Sequence, residues 1–398
     1  MLRTVRVLIA AMSIAIAIAI AVAVACPASA AEPNEMRAHE LSLAVTENGE
    51  HAAWHGGYGE GSTIYVQKLD HEGRLTGPAF PVSDGKQLAY EPDLIATGDQ
   101  LVVAWYEKDE STGMLSARLA GVSKTGERLW IASLKAQAGS SRNPTVRQVG
   151  TELQVAWIEQ PLAGGRANRA TIWHQRFSLA GNLLSPARRI GRANRDTWNL
   201  NASAFGQDFI VTYDAALGSK AHELHMLVVR SGRAGHRQLS ADDGHASLYP
   251  DLQVNRNGQA ALTWFDEKDG NKEVYLLAAP IAALAKGVRP TSLRITNDEG
   301  ESIGAYLAWN ESLIGLAWRD GTDDQSQIFG QLFSQGGQPL GPIHQLAATQ
   351  DKAGIPVIRP RGNGFMVAWN DYLTEGIGAH LNVMSSVVRT APLTPAEP

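Results

Sequence analysis

Short apolar runs, bounded by glycine, asparagine and aspartate, follow one another along most of the chain. Many of these runs end with two small or apolar residues followed by an aromatic residue. The seven aromatic anchors are Trp54, Trp105, Trp157, Tyr213, Trp264, Trp318 and Trp369, spaced 51 to 56 residues apart. Self-similarity with a period near 50, in a chain of short strands, is typical of β-propeller blades. We therefore predict an all-β fold, a single seven-bladed β-propeller of four-stranded antiparallel blades.

The second repeat illustrates how one blade forms. Its apolar runs predict strands over residues 93–96, 101–105, 114–122 and 128–133, joined by turns that contain glycine. The inner strands of a blade are buried on both faces, and a large aromatic residue fills the wedge between neighbouring blades. We therefore interpret the aromatic anchors as packing residues rather than ligand contacts.

Both ends of the chain depart from the repeat. Arg3 and Arg6, the apolar segment 7–25 and the small residues at 28–30 predict a signal peptide over residues 1–30. A retained transmembrane helix and a lipoprotein anchored at Cys26 are the alternatives. The propeller is expected to span 31–388, and a flexible tail 389–398. The last repeat has no clear fourth strand, and we expect residues 35–38 to complete its sheet.

Composition narrows the class of protein. Without Arg3 and Arg6, 33 basic side chains face 40 acidic ones, and this balance argues against a general nucleic-acid binder. Cys26 is the only cysteine of the 398 residues, so no disulfide forms within the mature chain. We expect an exported bacterial protein, periplasmic or secreted, that is monomeric and has no stable membrane span.

Polar loops between the second and third strands of each repeat define the face where we expect a site. An acidic residue follows most anchors by one or two positions. The ligand candidates among these are Glu107, Glu159 and Asp214. They form either a ring of carboxylates around the channel or separate acceptors for backbone N–H groups in their own loops.

The third repeat has the longest of these loops and gathers five arginines in an otherwise acidic chain. They are Arg142, Arg166, Arg169, Arg192 and Arg195. Guanidinium groups bind carboxylate and sulfate well, so a polyanionic glycan is the predicted ligand of this sector. The alternative is that these arginines are simply solvated.

Two loops carry oxygen ligands suited to structural calcium. The first contains Asp266, Asp269, Asn271 and Glu273, and the second contains Asp320, Asp323 and Asp324. We expect no other cofactor. His222 and His225 lie on opposite faces of one strand and are poor co-ligands for a metal. The sequence contains no catalytic triad, phosphate loop or zinc motif.

Segments 249–258, 264–275 and 294–298 resemble repeats of bacterial sialidase-like propellers, and 328–341 resembles repeats of large secreted bacterial proteins. The resemblance implies fold and compartment. The aspartate-containing turn of sialidases is not matched at 123–130, and their Arg-Ile-Pro motif is absent. We therefore expect a non-catalytic propeller that binds glycan or protein ligands. The alternative is a glycoside hydrolase or polysaccharide lyase acting on acidic sugars. In that case two carboxyls, or a tyrosine and histidine pair beside an arginine, should converge near the axis.

Overall fold

Antiparallel strands make up nearly all of this computed structural model, which describes residues 37–46, 49–57, 62–137, 139–161, 169–322, 325–347, 352–375 and 382–395. One short helix, α1 (Ile281–Ala285), follows the fifth blade's third strand. The fold belongs to one compact unit, Glu35–Pro398. Among the described residues, no helix has the length and apolar character needed to cross a membrane.

Five separate four-stranded sheets form the first five blades, each with its strands in chain order. Blade 1 comprises β1 (Arg37–Thr46), β2 (Gly49–Gly57), β3 (Thr63–Leu69) and β4 (Leu75–Pro81). Blade 2 comprises β5 (Leu88–Thr97), β6 (Gln100–Lys108), β7 (Leu115–Ser123) and β8 (Arg128–Leu134). Blade 3 comprises β9 (Gly139–Val149), β10 (Glu152–Pro161), β11 (Arg169–Ser178) and β12 (Arg188–Asn194). Blade 4 comprises β13 (Leu200–Phe205), β14 (Asp208–Ala215), β15 (Glu223–Arg230) and β16 (Arg233–Gln238). Blade 5 comprises β17 (Ser247–Val254), β18 (Gln259–Asp266), β19 (Glu273–Pro280) and β20 (Leu293–Arg294).

The rest of the chain forms one eight-stranded sheet, so the prediction of seven four-stranded blades is wrong. Its strands are β21 (Glu301–Trp309), β22 (Leu313–Gly321), β23 (Ser326–Ser334), β24 (His344–Ala347), β25 (Lys352–Ala353), β26 (Val357–Arg361), β27 (Gly364–Glu375) and β28 (Asn382–Leu393). The reason is β25, which pairs with β23 on one side and with β27 on the other. Backbone hydrogen bonds therefore join the sixth and seventh repeats into a single sheet.

The closure predicted for the two ends is also wrong within the described residues. Arg37 and Ala38 pair with the end of β2, and they belong to blade 1. Strand β28 pairs with β27 as far as Leu393, beyond the boundary predicted at residue 388. The last sheet instead meets blade 1 through side chains, because Arg359 Nε donates to the Leu43 carbonyl at 2.9 Å.

The core consists of apolar clusters between facing sheets. The packing role predicted for the anchors is confirmed, because all seven aromatic residues are buried. Trp105 packs in the cluster between blades 1 and 2, and Trp157 packs in the cluster between blades 2 and 3. The tight turns between first and second strands place glycine at positive φ, as at Gly98 (51°) and Gly150 (60°). This packing fixes the first strands around a common centre.

Candidate functional site

A β-bulge recurs at equivalent places in the first strands of five repeats, β1, β5, β9, β17 and β21. The bulge residues all have positive φ, namely Glu40 (46°), Glu91 (51°), Asn143 (48°), Tyr249 (54°) and Gly304 (59°). The left-handed conformation costs a residue with a side chain roughly 1–2 kcal/mol. Strained positions of this kind concentrate at functional sites, which makes the bulges candidate site positions.

All five bulge residues line an axial cavity of about 800 Å³. Residues of β1, β5, β9, β13, β17, β21 and β26 form its wall. The bulges lie level with the ends of the second strands, because Tyr90 beside Glu91 pairs with Tyr106 next to the anchor Trp105. The same end of the blades carries the loops after the anchors, but the cavity lies at the centre and not on those loops.

Side chains two residues beyond a bulge hold neighbouring repeats together. Each accepts a backbone N–H of the next repeat at 2.9 Å: Leu94 N to Ser42 Oγ, Val146 N to Asp93 Oδ2, and Leu307 N to Asp251 Oδ2. These polar groups have partners within the fold. The cavity chemistry therefore depends mainly on the bulge residues and their immediate neighbours.

Glu40 and Glu91, here called the acid pair, place two carboxyls in the cavity wall. Glu91 accepts hydrogen bonds from Tyr106 Oη at 3.0 Å and from the side-chain amide of Asn143. Glu40 Oε2 lies 3.3 Å from His55 Nδ1. Two carboxyls, an imidazole and a phenol thus meet at one side of the cavity.

The pKa values of both members of the acid pair are raised. Desolvation is the main cause for Glu40, whose pKa rises to about 8 with a further contribution from the negative charge of Glu91. Half of the Glu40 side chain is exposed (51 %), and the residue lines the cavity. Desolvation raises the pKa of Glu91 to about 7, against the opposing hydrogen bond from Tyr106. Near neutral pH the acid pair therefore retains a proton.

Two large aromatic side chains are unusually exposed at the same cavity. Trp198 is 45 % exposed and Tyr249 is 42 % exposed. The Arg142 guanidinium lies 4.1 Å from the centre of the Trp198 ring, on one face of it. The Tyr249 ring stacks on Phe265, with 5.4 Å between ring centres. Neighbouring side chains thus hold both rings beside the cavity without covering them.

Arg142, a predicted ligand contact, is buried beside the cavity. Its guanidinium donates to the backbone carbonyls of Arg195 at 2.6 Å and Thr197 at 2.5 Å. It also donates to Asn143 Oδ1 at 3.1 Å. These contacts support the segment that carries Trp198, so Arg142 belongs to the scaffold around the cavity.

Three of the other predicted arginines lie on the outer part of blade 3. Arg169 and Arg192 are exposed on the paired strands β11 and β12. Arg195 is exposed in the turn after β12, and Arg166 lies outside the described residues. None of these three described arginines contributes to the wall of the axial cavity. The polyanion site on this sector stays a prediction.

The repeated acidic residues have partners close by. The indole nitrogen of an anchor donates to the carboxylate two residues later: Trp105 to Glu107 at 3.0 Å, Trp157 to Glu159 at 3.3 Å, and Trp264 to Asp266 at 3.1 Å. Glu159 also accepts two backbone N–H groups. Asp214 differs because tyrosine is its anchor, and it accepts from His222 Nδ1 at 2.7 Å and from the Tyr249 backbone at 3.1 Å.

The first loop predicted to bind calcium lies beside a cation on β20. Arg294 lies 3.4 Å from Asp269 and 2.9 Å from Glu273. The Asn271 side-chain amide donates to two backbone carbonyls. The guanidinium thus supplies positive charge beside these carboxylates, and calcium at this loop stays a prediction.

In the second loop, Asp320 accepts the Ser302 hydroxyl at 2.5 Å. Asp323 and Asp324 lie outside the described residues. Across the part of the chain that the structure describes, no three His, Cys, Asp or Glu side chains are arranged to hold a metal ion. Calcium at this loop stays a prediction.

The sequence contains a signal for the bulges that the repeat pattern did not reveal. Glu91, Asn143 and Tyr249 each precede a proline, and each lies 14 or 15 residues before its anchor. Proline disfavours the right-handed helical conformation in the residue before it. The repeated residue–proline pair at this spacing could have identified the cavity wall.

Fold and site together define an all-β β-propeller with an axial cavity. No protein-family model and no curated protein sequence matches the chain. Among solved structures, it is similar to a protein of unknown function from Dyadobacter fermentans (TM-score 0.51, 9 % identity, covering 90 % of this chain and 95 % of that one). It is also similar to a puromycin-hydrolysing peptidase from Mycobacterium tuberculosis (TM-score 0.57, 12 % identity, covering 91 % and 54 %) and to the phage phi92 endosialidase (TM-score 0.52, 10 % identity, covering 92 % and 68 %).

At these identities the likeness concerns the fold alone. The chain spans about half the length of the peptidase. The sialidase-like resemblance of the sequence therefore holds for the propeller scaffold, and function has to be inferred from the cavity.

Proposed function

We propose that the axial cavity binds a carbohydrate. The observation that carries this proposal is the pair of exposed aromatic rings, Trp198 and Tyr249, at the axial cavity. Ligand sites are typically concave and combine aromatic surface with a few fixed polar groups. The flat rings would stack against the C–H faces of sugar units. The backbone strain at Tyr249, with φ of 54°, is consistent with selection for function at this position.

Polar groups around the rings suit a polyhydroxylated ligand. The acid pair can accept hydrogen bonds from hydroxyl groups, and its retained proton can be donated. Asn143 contributes an amide near Glu91. Such groups fix the orientation of a ligand, while stacking supplies contact area. Export remains part of this proposal, on the strength of the basic and apolar N-terminal segment.

We expect the variants Trp198→Ala and Tyr249→Ala to weaken carbohydrate binding about tenfold or more, as removal of a central aromatic contact does in other interfaces. The measurement is an array of neutral, uronate and sialylated oligosaccharides. Calorimetry then follows with cellotetraose, tetragalacturonate and sialyllactose. Circular dichroism checks that each variant is folded.

The double variant Arg169→Ala/Arg192→Ala is the matched control, since it removes exposed charge on blade 3 and leaves the cavity wall unchanged. Its affinity should equal that of the wild type. If binding is lost in the arginine variant but kept in both aromatic variants, the ligand binds the arginine sector and the cavity proposal is wrong. The same conclusion follows if no oligosaccharide binds.

The acid pair favours a second candidate function, hydrolysis of a glycosidic bond. Glycosidases use two carboxyls, one protonated to serve as an acid and one ionised. The raised pKa values of Glu40 and Glu91 would keep one proton on the pair near neutral pH. In this mechanism the protonated carboxyl would donate to the leaving oxygen, and the other would activate water or stabilise the transition state.

If the cavity hydrolyses glycosides, Glu91→Gln should lower the rate roughly a hundredfold, since general acid–base catalysis contributes on that scale. Activity of the wild type should fall as the pH rises above about 8, where the pair loses its last proton. The assay follows release of 4-nitrophenol from a panel of aryl glycosides. Glu267→Gln, which changes another carboxyl of the cavity wall, is the control. If Glu91→Gln and Glu267→Gln hydrolyse the substrate at equal rates, the acid pair does not catalyse the reaction.

A further inference from the structure

His222 lies between two carboxylates at the edge of blade 4. Its Nδ1 is 2.7 Å from Asp214 Oδ1, and its Nε2 is 3.2 Å from Asp196 Oδ2. Ionised carboxylates accept hydrogen bonds and cannot donate them. Both ring nitrogens must therefore carry hydrogen for both contacts to form, which makes the side chain an imidazolium. The pKa of His222 is raised accordingly, with the hydrogen bond to Asp214 as the largest cause.

Asp214 connects His222 to one of the two cavity aromatics. Its carboxylate is buried, and its second oxygen accepts the backbone N–H of Tyr249 at 3.1 Å. Tyr249 is a bulge residue with a left-handed backbone, a conformation that needs support from its surroundings. Asp214 thus provides a fixed acceptor at the strained residue, and His222 fixes the orientation of Asp214.

Asp196 connects His222 to the other aromatic. It belongs to the segment between β12 and β13 that carries Trp198, and its own side chain is largely exposed (63 %). The Thr197 hydroxyl ties the same segment to the Asp214 carbonyl at 3.0 Å. One imidazolium therefore joins the backbone support of Tyr249 to the segment that displays Trp198.

We propose that His222, as an imidazolium bridging Asp214 and Asp196, is a positioning residue that sets Trp198 and Tyr249 for the ligand of the axial cavity. The class of ligand in this inference rests on the proposed carbohydrate function. The positioning role itself rests only on the bridge that His222 forms between Asp214 and Asp196. Loss of the proton leaves one ring nitrogen without hydrogen. The contact to Asp196 is then the one that breaks, because it is longer and more exposed than the contact to Asp214.

The charge on His222 is present below its raised pKa and is lost as the pH rises through that value. Charged groups that face it are Asp214 and Asp196. His225 on β15 interacts with it electrostatically, but burial lowers the pKa of His225 to about 4, so His225 stays neutral above pH 6. The acid pair titrates in the same range as the experiment. A variant that lacks only the imidazole is therefore needed for comparison.

The first test follows Trp198 without any ligand. Acrylamide quenching of tryptophan fluorescence is measured from pH 6 to pH 9 for the wild type and for Trp198→Phe. Because the chain has ten tryptophans, the difference between the two signals isolates the quenching of Trp198. Quenching of Trp198 should rise with pH in the wild type. In His222→Gln and Asp196→Asn it should be high and independent of pH, although both variants keep the acid pair. A wild-type signal that does not change with pH would overturn the positioning role.

The second test measures affinity for tetragalacturonate, cellotetraose and sialyllactose by calorimetry at pH 6 and pH 9. A charged hydrogen bond that supports binding contributes about tenfold, so His222→Gln should bind about tenfold more weakly than the wild type at pH 6, and this difference should shrink as the pH rises to 9. If none of the three sugars binds while quenching follows the expected pattern, the carbohydrate proposal fails and the bridge stands. If a sugar binds and His222→Gln shows the wild-type pH dependence, the bridge fails and the carbohydrate proposal stands.

Discussion

Replacing Arg142 with alanine is expected to lower the free energy of unfolding by about 3 kcal/mol, because a buried charged donor is removed from acceptors that then have no partner. Arg142 is 2 % exposed, and its guanidinium donates to the carbonyls of Arg195 and Thr197. It also packs on one face of the Trp198 ring, 4.1 Å from the ring centre. The variant should therefore unfold at lower urea concentration and show greater acrylamide quenching of Trp198.

Arg192→Ala is the matched control for this prediction. Arg192 comes from the same cluster in the sequence, but its side chain is exposed on β12. Substitution there should change stability by less than about 0.5 kcal/mol, as is usual at the surface. Equal losses in the two variants would mean that Arg142 does not have the structural role assigned to it.

Asp93→Ala is expected to loosen blade 2 from blade 3 and to cost about 3 kcal/mol, as the loss of one partner from a largely buried ion pair does. The carboxylate accepts from three groups of the next blade: Thr145 Oγ1 at 2.8 Å, Val146 N at 2.9 Å and Arg147 Nη1 at 2.7 Å. Removal leaves all three without this acceptor at one interface. Hydrogen exchange in β9 should therefore accelerate more than exchange in β17, which lies two blades further along the chain.

Asp84→Ala tests whether this effect depends on the contact between blades. Asp84 is exposed and accepts the backbone N–H of Lys86 within its own turn at 3.1 Å. Its loss should leave exchange in β9 unchanged. If Asp93→Ala raises exchange uniformly around the propeller, the carboxylate stabilises the fold as a whole and does not act as a specific connection between two blades.

The repeat pattern predicted the strands of each blade well because it depends on local chemistry. In the second repeat, all four predicted strands are present, and the observed β6 and β7 differ from the predicted bounds by a few residues. Alternation of side chains along a strand, glycine in tight turns and one large aromatic per wedge are constraints that act within about 50 residues. For the same reason the burial of Trp105 and Trp157 followed from the sequence.

Sheet boundaries and the cavity depend on contacts between distant segments, and only the tertiary structure decided them. Strand β25 has two residues and no recognisable pattern, yet its pairing with β23 and β27 merges two repeats into one sheet. Glu40 and Glu91 come from different repeats, and their raised pKa values arise from desolvation where the two repeats meet at one cavity. Arg142 looks like a surface cation in the sequence, but the segment 195–199 folds over it. The sequence alone determined the strands and tight turns of the repeats, because their pattern is local. Packing of the first strands around the axis decided the site, because long-range contacts set which side chains lose water and which meet.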